Sequence, residues 1–354
     1  MSKFRFLYFG DVVGTPGVKT LERLLPLLKT ALAADAAFAN AENAAPGNGL
    51  TPAVAARLYK AGADALTLGN HTWKRPELKA YLPQDSRLAR PANGTKAWPG
   101  KGYARFESPV ATVYLINLLG QVFLQTPQSP FTIVDELLQV LSPTVAAASH
   151  AVAGDSVAVS RSAEVLAAKP RPSLVIVDMH AEATAEKTVM GQYLDGRVAA
   201  VVGTHTHVAT ADARVLPGGT AYITDLGMCG PTAGVIGMDS SIAKRRLVDG
   251  LPSRYEVAKG PTALSGVMVD YDLTAAAATA IYLLNIPGHL SKHNLPALLA
   301  EQTQEEAAVV ACRLGLSRGV CPGAAAPQSS YKQLTTPQLD PVRATILEPK
   351  EKEI

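Results

Sequence analysis

The 354-residue sequence predicts an α/β fold built around a largely parallel sheet. Three observations carry that prediction. Short apolar runs alternate with helical patterns through the first third of the chain. Several of those runs are followed at once by unusual polar residues. Hydrophobic residues make up 47% and charged residues 18%, enough for a sizeable core and wrong for a mainly disordered chain.

Residues 4–9 form a continuous apolar strand that ends at Gly10-Asp11. Leu21, Leu24, Leu25 and Leu28 then recur at helical spacing, with Pro16 near the helix start. A second short strand, 36–39, ends at Asn40-Ala41-Glu42-Asn43. Thr51-Pro52 opens a second helix through Leu58, with Thr51 suited to cap it. A third strand, 65–68, ends at Gly69-Asn70-His71. Strand and helix repeated in this way predict right-handed parallel βαβ units. Later strands fall at 112–118, 173–177, 198–202 and 220–224, with a helix at 134–141. Three of those strands run into Asp178-Met179-His180, Gly203-Thr204-His205-Thr206-His207 and Asp225. Residues 257–258 and 264–271 read as closing strands.

Two segments lie outside the alternation. Residues 142–172, rich in Ala, Ser and Val with Pro at both ends, read as an insertion. From 286 onward the chain is polar, with a helix expected at 295–314 and disorder over 322–354. The expected organisation is therefore a catalytic domain over 1–285 and a C-terminal extension over 286–354.

The net charge of +3 suits a small anionic substrate and is too weak to suggest a surface for duplex DNA. Three widely spaced cysteines, Cys229, Cys312 and Cys321, imply no disulfide framework. The N-terminal apolar run lacks the features of a signal peptide, and no run reaches the roughly 18 apolar residues of a membrane span. The expectation is a soluble cytoplasmic protein; self-association is left open.

In open α/β folds, ligands gather where strands end and loops begin. There stand Asp11, Glu42, Asn43, Asn70, His71, His180, His205 and His207. Singly, each has a structural explanation: Asp11 could cap a helix, Asn43 could shape a turn, His180 could be a satisfied core histidine. Together they supply carboxylate, amide and imidazole donors, a mixture that suits two divalent cations. Gly10, Gly14 and Gly17 do not have the Gly-x-Gly-x-x-Gly spacing of a dinucleotide fold, which would leave the histidines unexplained.

These segments resemble the calcineurin-like metallophosphoesterase superfamily, and more closely its bacterial YmdB-like branch. The resemblance rests on Phe9-Gly10-Asp11-Val12-Val13-Gly14, Ala41-Glu42-Asn43-Ala44, Leu68-Gly69-Asn70-His71-Thr72-Trp73, Asp178-Met179-His180-Ala181-Glu182-Ala183-Thr184 and Gly203-Thr204-His205-Thr206-His207-Val208. The superfamily's usual Asp-x-His and Gly-Asp-x-x-Asp are replaced here by Asp11-Val12-Val13 and Glu42-Asn43, as in that branch.

The resemblance implies a four-layer α/β/β/α sandwich and a dinuclear centre of iron or manganese. Asp11, Asn43 and His207 would hold one metal, Asn70, His180 and His205 the other, and Glu42 would bridge. It also implies hydrolysis of cyclic nucleotides such as 2′,3′-cyclic AMP by a metal-bridging hydroxide, with His71 as general acid. Two other readings of the same residues are a phosphomonoesterase or nucleotidase, and a nucleotide- or RNA-binding regulator with slow turnover.

Overall fold

In the computed structural model, the described residues are 3–46, 48–141 and 172–303, with positions 310, 313 and 314. Residues 142–171 of the insertion, the tail from 315 onward and two of the three cysteines lie outside them. Two β-sheets form the framework. The first has eight strands centred on β1 (Lys3–Phe9). On one side β1 runs parallel to β3 (Ala36–Asn40), followed by β4 (Ala65–Thr67) and β5 (Leu88–Ala89). On its other side β1 is antiparallel to β13 (Thr262–Asp272), which also pairs with β14 (Ala277–Pro287) and β12 (Met228–Pro231). The two-residue β2 (Asp11–Val12) joins at the β12 edge.

The second sheet has six strands. Its middle is parallel: β7 (Thr112–Leu119), β8 (Ser173–His180), β9 (Ala200–Thr204) and β11 (Ala221–Ile223). Antiparallel strands β6 (Tyr103–Glu107) and β10 (Arg214–Val215) close its edges.

The two-residue period of a strand divides β1 between two cores. Phe4, Phe6 and Tyr8 pack with Phe38 and with Val113, Leu115, Leu174, Ile176 and Val202 of the second sheet. Leu7 and Phe9 point the other way, into the leucines of α1 (Gly14–Ala31) and of α2 (Pro52–Lys60). The second sheet is divided likewise. Ile116, Leu118, Val175, Val177 and Val201 pack with residues of α3 (Pro130–Leu141) and with Met190 of α4 (Thr184–Tyr193). Burial on both faces explains why these strands read as continuous apolar runs. Thr51 caps α2 as its sequence suggests, accepting from the Val54 amide at 3.3 Å.

The structure departs from the sequence reading in three places. Strand β8 continues past 177 to His180, so that histidine ends a buried strand and is not in a loop. Residues 257–258 form only an isolated bridge from Met238 to Val257; the closing strand begins at Thr262. Residues 277–287, to which the sequence reading assigns no element, form β14; the chain is turned back ahead of it by the Asp272 carboxylate, which accepts from the amides of Thr274 and Ala275. Of the helix expected at 295–314, residues 295–303 are helical. No helix among the described residues is long and apolar enough to cross a membrane.

Candidate metal centre

All eight candidate residues meet at the strand ends shared by the two sheets. Asp11 arrives first. Gly10 lets the chain pass close to β12, since a Cβ there would lie 1.9 Å from the Gly227 carbonyl oxygen. The carboxylate is fully buried. Its Oδ2 accepts from the His205 amide at 3.0 Å. Its Oδ1 has no hydrogen-bond partner, with His207 Nε2 at 3.8 Å.

Glu42 is held in its turn by Asn40, whose Oδ1 accepts from the Glu42 amide at 3.1 Å. Its Oε1 lies 3.2 Å from His180 Nε2, 3.1 Å from His71 Nδ1 and 3.1 Å from Asn43 Nδ2. Its Oε2 accepts from the His71 amide at 2.9 Å. Asn43 faces His207 Nε2 through Nδ2 at 3.1 Å and His71 Nδ1 through Oδ1 at 3.2 Å.

His180 is the hub of the other half. Its Nε2 lies 3.0 Å from Asn70 Oδ1 and 3.1 Å from His205 Nδ1. Glu42, His180 and His205 each place a donor atom within 4.8 Å of the other two. Only a glycine fits at 69, where a Cβ would lie 2.2 Å from Glu42 Oε2 and 2.4 Å from His180 Nε2.

The second nitrogen of His180 is fixed from beneath. Buried Asp178 accepts from Thr67 Oγ1 at 2.5 Å, Thr204 Oγ1 at 2.6 Å and Asn40 Nδ2 at 2.9 Å. Because Thr204 spends its proton on Asp178, its oxygen is left to accept from His180 Nδ1, 2.8 Å away. That bond places a proton on Nδ1 and directs Nε2 into the cluster.

His205 and His207 have φ of +99° and +66°, a region that non-glycine residues seldom occupy. Thr206 between them is tied to Asp225, which accepts from its amide at 3.2 Å and its hydroxyl at 2.7 Å. Asp225 is itself paired at 2.7 Å with Lys187, and both side chains are 1% exposed.

The charges are correspondingly displaced. Burial raises the Asp11 carboxyl to about 6, against the opposing pull of His207 and His180. Burial also works against the charged form of Glu42, but His180 and His71 outweigh it and hold that carboxyl well below its usual range. Burial would lower His180, yet Glu42, Asp11 and Asp178 lift it to about 9. His205 falls to about 3, through burial and then the neighbouring His180.

This arrangement fits a cation better than it fits a hydrogen-bond network. Glu42 Oε1, Asn70 Oδ1 and His205 Nδ1 all converge on one nitrogen of His180, which has at most one proton to share among them. A buried carboxylate oxygen without a donor, as at Asp11, costs free energy that a bound cation would recover. Asn40, Asp178, Thr204, Lys187 and Asp225 escaped assignment from sequence. Asn40 and Thr204 end strands and Asp225 follows one closely, whereas Asp178 lies inside β8 and Lys187 sits on a helix, which gives no such sign.

A family model for YmdB-like proteins matches residues 7–284. A 2′,3′-cyclic-nucleotide 2′-phosphodiesterase of Bacillus subtilis (strain 168) is 44% identical over 268 residues, covering 76% of this chain and 91% of that protein. The fold is similar to the crystal structure of a phosphatase from Mycoplasma pneumoniae, with TM-score 0.69, 32% identity and coverage of 81% of this chain and 94% of that one. The crystal structure of a hypothetical protein from Thermus thermophilus gives 0.67 at 32% identity, covering 80% and 99% of the respective chains.

Proposed function

The chain belongs to the YmdB-like family, and from that premise we propose a metal-dependent phosphodiesterase that hydrolyses cyclic nucleotides of the 2′,3′-cyclic AMP type. The observation that carries this reading is the convergence of Glu42, His180 and His205, with an orphaned Asp11 oxygen beside them. In this reading Asp11, Asn43 and His207 would hold one cation, Asn70, His180 and His205 would hold a second, and Glu42 would serve both. The spacings support that division, since Glu42 lies within 3.2 Å of both His180 and Asn43. Mixed nitrogen and oxygen donors suit iron or manganese. Two such cations would supply Lewis acidity, activating water and neutralising charge on the phosphate.

The chain's own contribution to the chemistry is a proton. Hydrolysis forms a bond from water oxygen to phosphorus and breaks a bond from phosphorus to a ribose oxygen, which must then be protonated. Glu42 and Asn43 engage Nδ1 of His71, which leaves Nε2 to deliver that proton. His71→Ala is expected to slow cyclic-nucleotide turnover by roughly 10²–10⁴-fold and to spare aryl diesters, whose leaving group needs no acid. Metal content should be unchanged. Equal turnover of the cyclic nucleotide by wild type and variant would remove His71 from this role. A panel of cyclic, linear and terminal phosphate esters separates the diesterase from a phosphomonoesterase using the same donors.

Metal uptake should also release protons. His180, at about 9 in the metal-free protein, is protonated at pH 7.5, whereas a ligating imidazole must be neutral. Calorimetric titration in buffers of different ionisation enthalpy should show release of about one proton per centre at pH 7.5, falling away as pH passes 9. Asp11 works in the opposite range: below about 6 it takes up a proton, and metal affinity should fall. The same reading assigns the catalytic domain to 1–285, its helices and sheets to four layers (α/β/β/α), and 286–354 to an extension.

A further inference from the structure

The net charge of the chain is concentrated on one excursion. Residues 244–260 carry Lys244, Arg245, Arg246, Arg254 and Lys259 against Asp249 and Glu256, a surplus of three that equals the +3 of the whole sequence. Everything else in the chain balances. Among the described residues, Lys244, Arg245, Arg254 and Lys259 form no ion pair. The first three cations lie at the C-terminal end of α5 (Ser240–Leu247).

A cavity of about 650 Å³ opens beside this excursion, lined by Pro46, Arg254, Tyr255, Glu256, Val257 and Lys259 among others, with two cations against one carboxylate. Its size is that of a small-molecule site. None of the eight site residues lines it, but two of its wall segments are tied to the segments that carry them. Pro46 follows Asn43 by three residues, and the Asn43 carbonyl accepts from the Gly14 amide, next to Thr15, at 2.8 Å. Opposite, Val257 bridges to Met238, and nearby the Ile236 carbonyl lies 2.9 Å from His207 Nδ1. The cavity therefore lies beside the segments that carry Asn43 and His207.

We propose that this cavity and the basic excursion bind single-stranded oligoribonucleotide upstream of a 3′-terminal 2′,3′-cyclic phosphate, so that the preferred substrates are RNA ends and not free mononucleotides. The proposal rests on the phosphodiesterase reading above and narrows its substrate class. In a cyclic phosphate both the 2′ and 3′ oxygens are committed to the reacting phosphorus. A longer substrate can continue only through its 5′ oxygen, and every further nucleotide adds a phosphate. Unpaired cations that lead away from the centre suit such a backbone. Tyr255, partly exposed and with the Arg246 guanidinium 4.6 Å from its ring centre, offers a surface on which a base can stack. The exposed Leu247, Val248 and Leu251 lie along the same excursion. An anionic membrane would also attract these groups, but Arg254 and Lys259 line a concavity, which suits a flexible strand better than a flat bilayer. The chemical step is unchanged: water adds, one ribose P–O bond breaks, and the freed ribose oxygen takes the proton.

The test compares kcat/KM for 2′,3′-cyclic AMP and for a short oligoadenylate ending in a 2′,3′-cyclic phosphate, using the full-length, metal-loaded protein. The oligonucleotide should be preferred by roughly tenfold at low salt. With two phosphates contacted, that preference should drop roughly sevenfold between about 50 and 200 mM salt. In Arg254→Gln/Lys259→Gln the preference should fall towards one and lose its salt dependence. If the mononucleotide is turned over but the preference is near one and insensitive to salt, the inference is overturned and the phosphodiesterase reading stands. If neither ester is hydrolysed, the phosphodiesterase reading fails and the inference with it. Salt-sensitive sedimentation with phosphatidylglycerol vesicles, without any oligonucleotide preference, would assign the excursion to membranes and overturn the proposal.

Discussion

Asp11→Asn is expected to abolish turnover and, in the metal-free protein above pH 6, to raise stability. The two effects have one cause. Asp11 is fully buried, and the fold displaces its carboxyl from 3.8 to about 6. A displacement of that size is worth roughly 3 kcal/mol. A carboxyl whose pKa is raised by folding leaves stability at its highest below 3.8 and lowers it as pH rises through about 6. The neutral amide avoids that loss, still accepts the His205 amide through its oxygen, and forfeits the charge that a cation needs. In chelator at pH 8 the variant should melt several degrees above wild type, and the difference should vanish near pH 4. With metal present the order should reverse, because only the wild type gains binding energy. Metal analysis and turnover at pH 8 complete the test. A variant that keeps its metals and its rate would remove Asp11 from the centre.

That opposition also explains why the donors were legible in the sequence. A fold does not retain a fully buried, orphaned carboxylate for stability, so residues such as Asp11, Glu42 and His180 stand out against apolar strands. Parallel strands buried on both faces read clearly, as 4–9 and 112–118 show. Strands whose existence depends on their neighbours did not. Strand β12 is Met-Cys-Gly-Pro, with no strand propensity of its own, and exists because β13 and β2 pair with it. Strand β14 opens on Ala-Ala-Thr-Ala, whose alanines have little strand propensity, and follows β13 in register through most of its length. At the site, first contacts were legible and their supports were not. The link from Asp178 through Thr204 to His180 joins residues that are adjacent only once β8 and β9 pair. Ligand identity is a property of residue type and strand end; orientation is a property of the assembled sheet.

The largest effect expected away from the donors is at Lys187. Lys187→Met keeps the aliphatic stem and removes the charge, leaving Asp225 buried at 1% exposure without its cation. Removing one partner of a buried ion pair costs about 3–5 kcal/mol, because the remaining charge is neither solvated nor neutralised. Here the loss does not stop at stability. Asp225 also accepts from Thr206 and from the Gly227 amide, and Thr206 is the residue between two histidines held at positive φ. If the Asp225 carboxylate shifts towards water, Thr206 follows, and His205 and His207 relax from their strained backbone. Metal affinity should therefore fall in a protein whose eight candidate site residues are all intact. Thermal unfolding in chelator reads the first effect and metal titration the second. Adding Asp225→Asn to Lys187→Met removes the stranded charge and should recover much of the melting temperature. It should recover less of the metal affinity, since an amide has one acceptor oxygen where the carboxylate used two. Unchanged metal affinity in Lys187→Met, with a clearly lowered melting temperature, would confine the pair to a structural role and leave the strain at His205 and His207 to be held by other contacts.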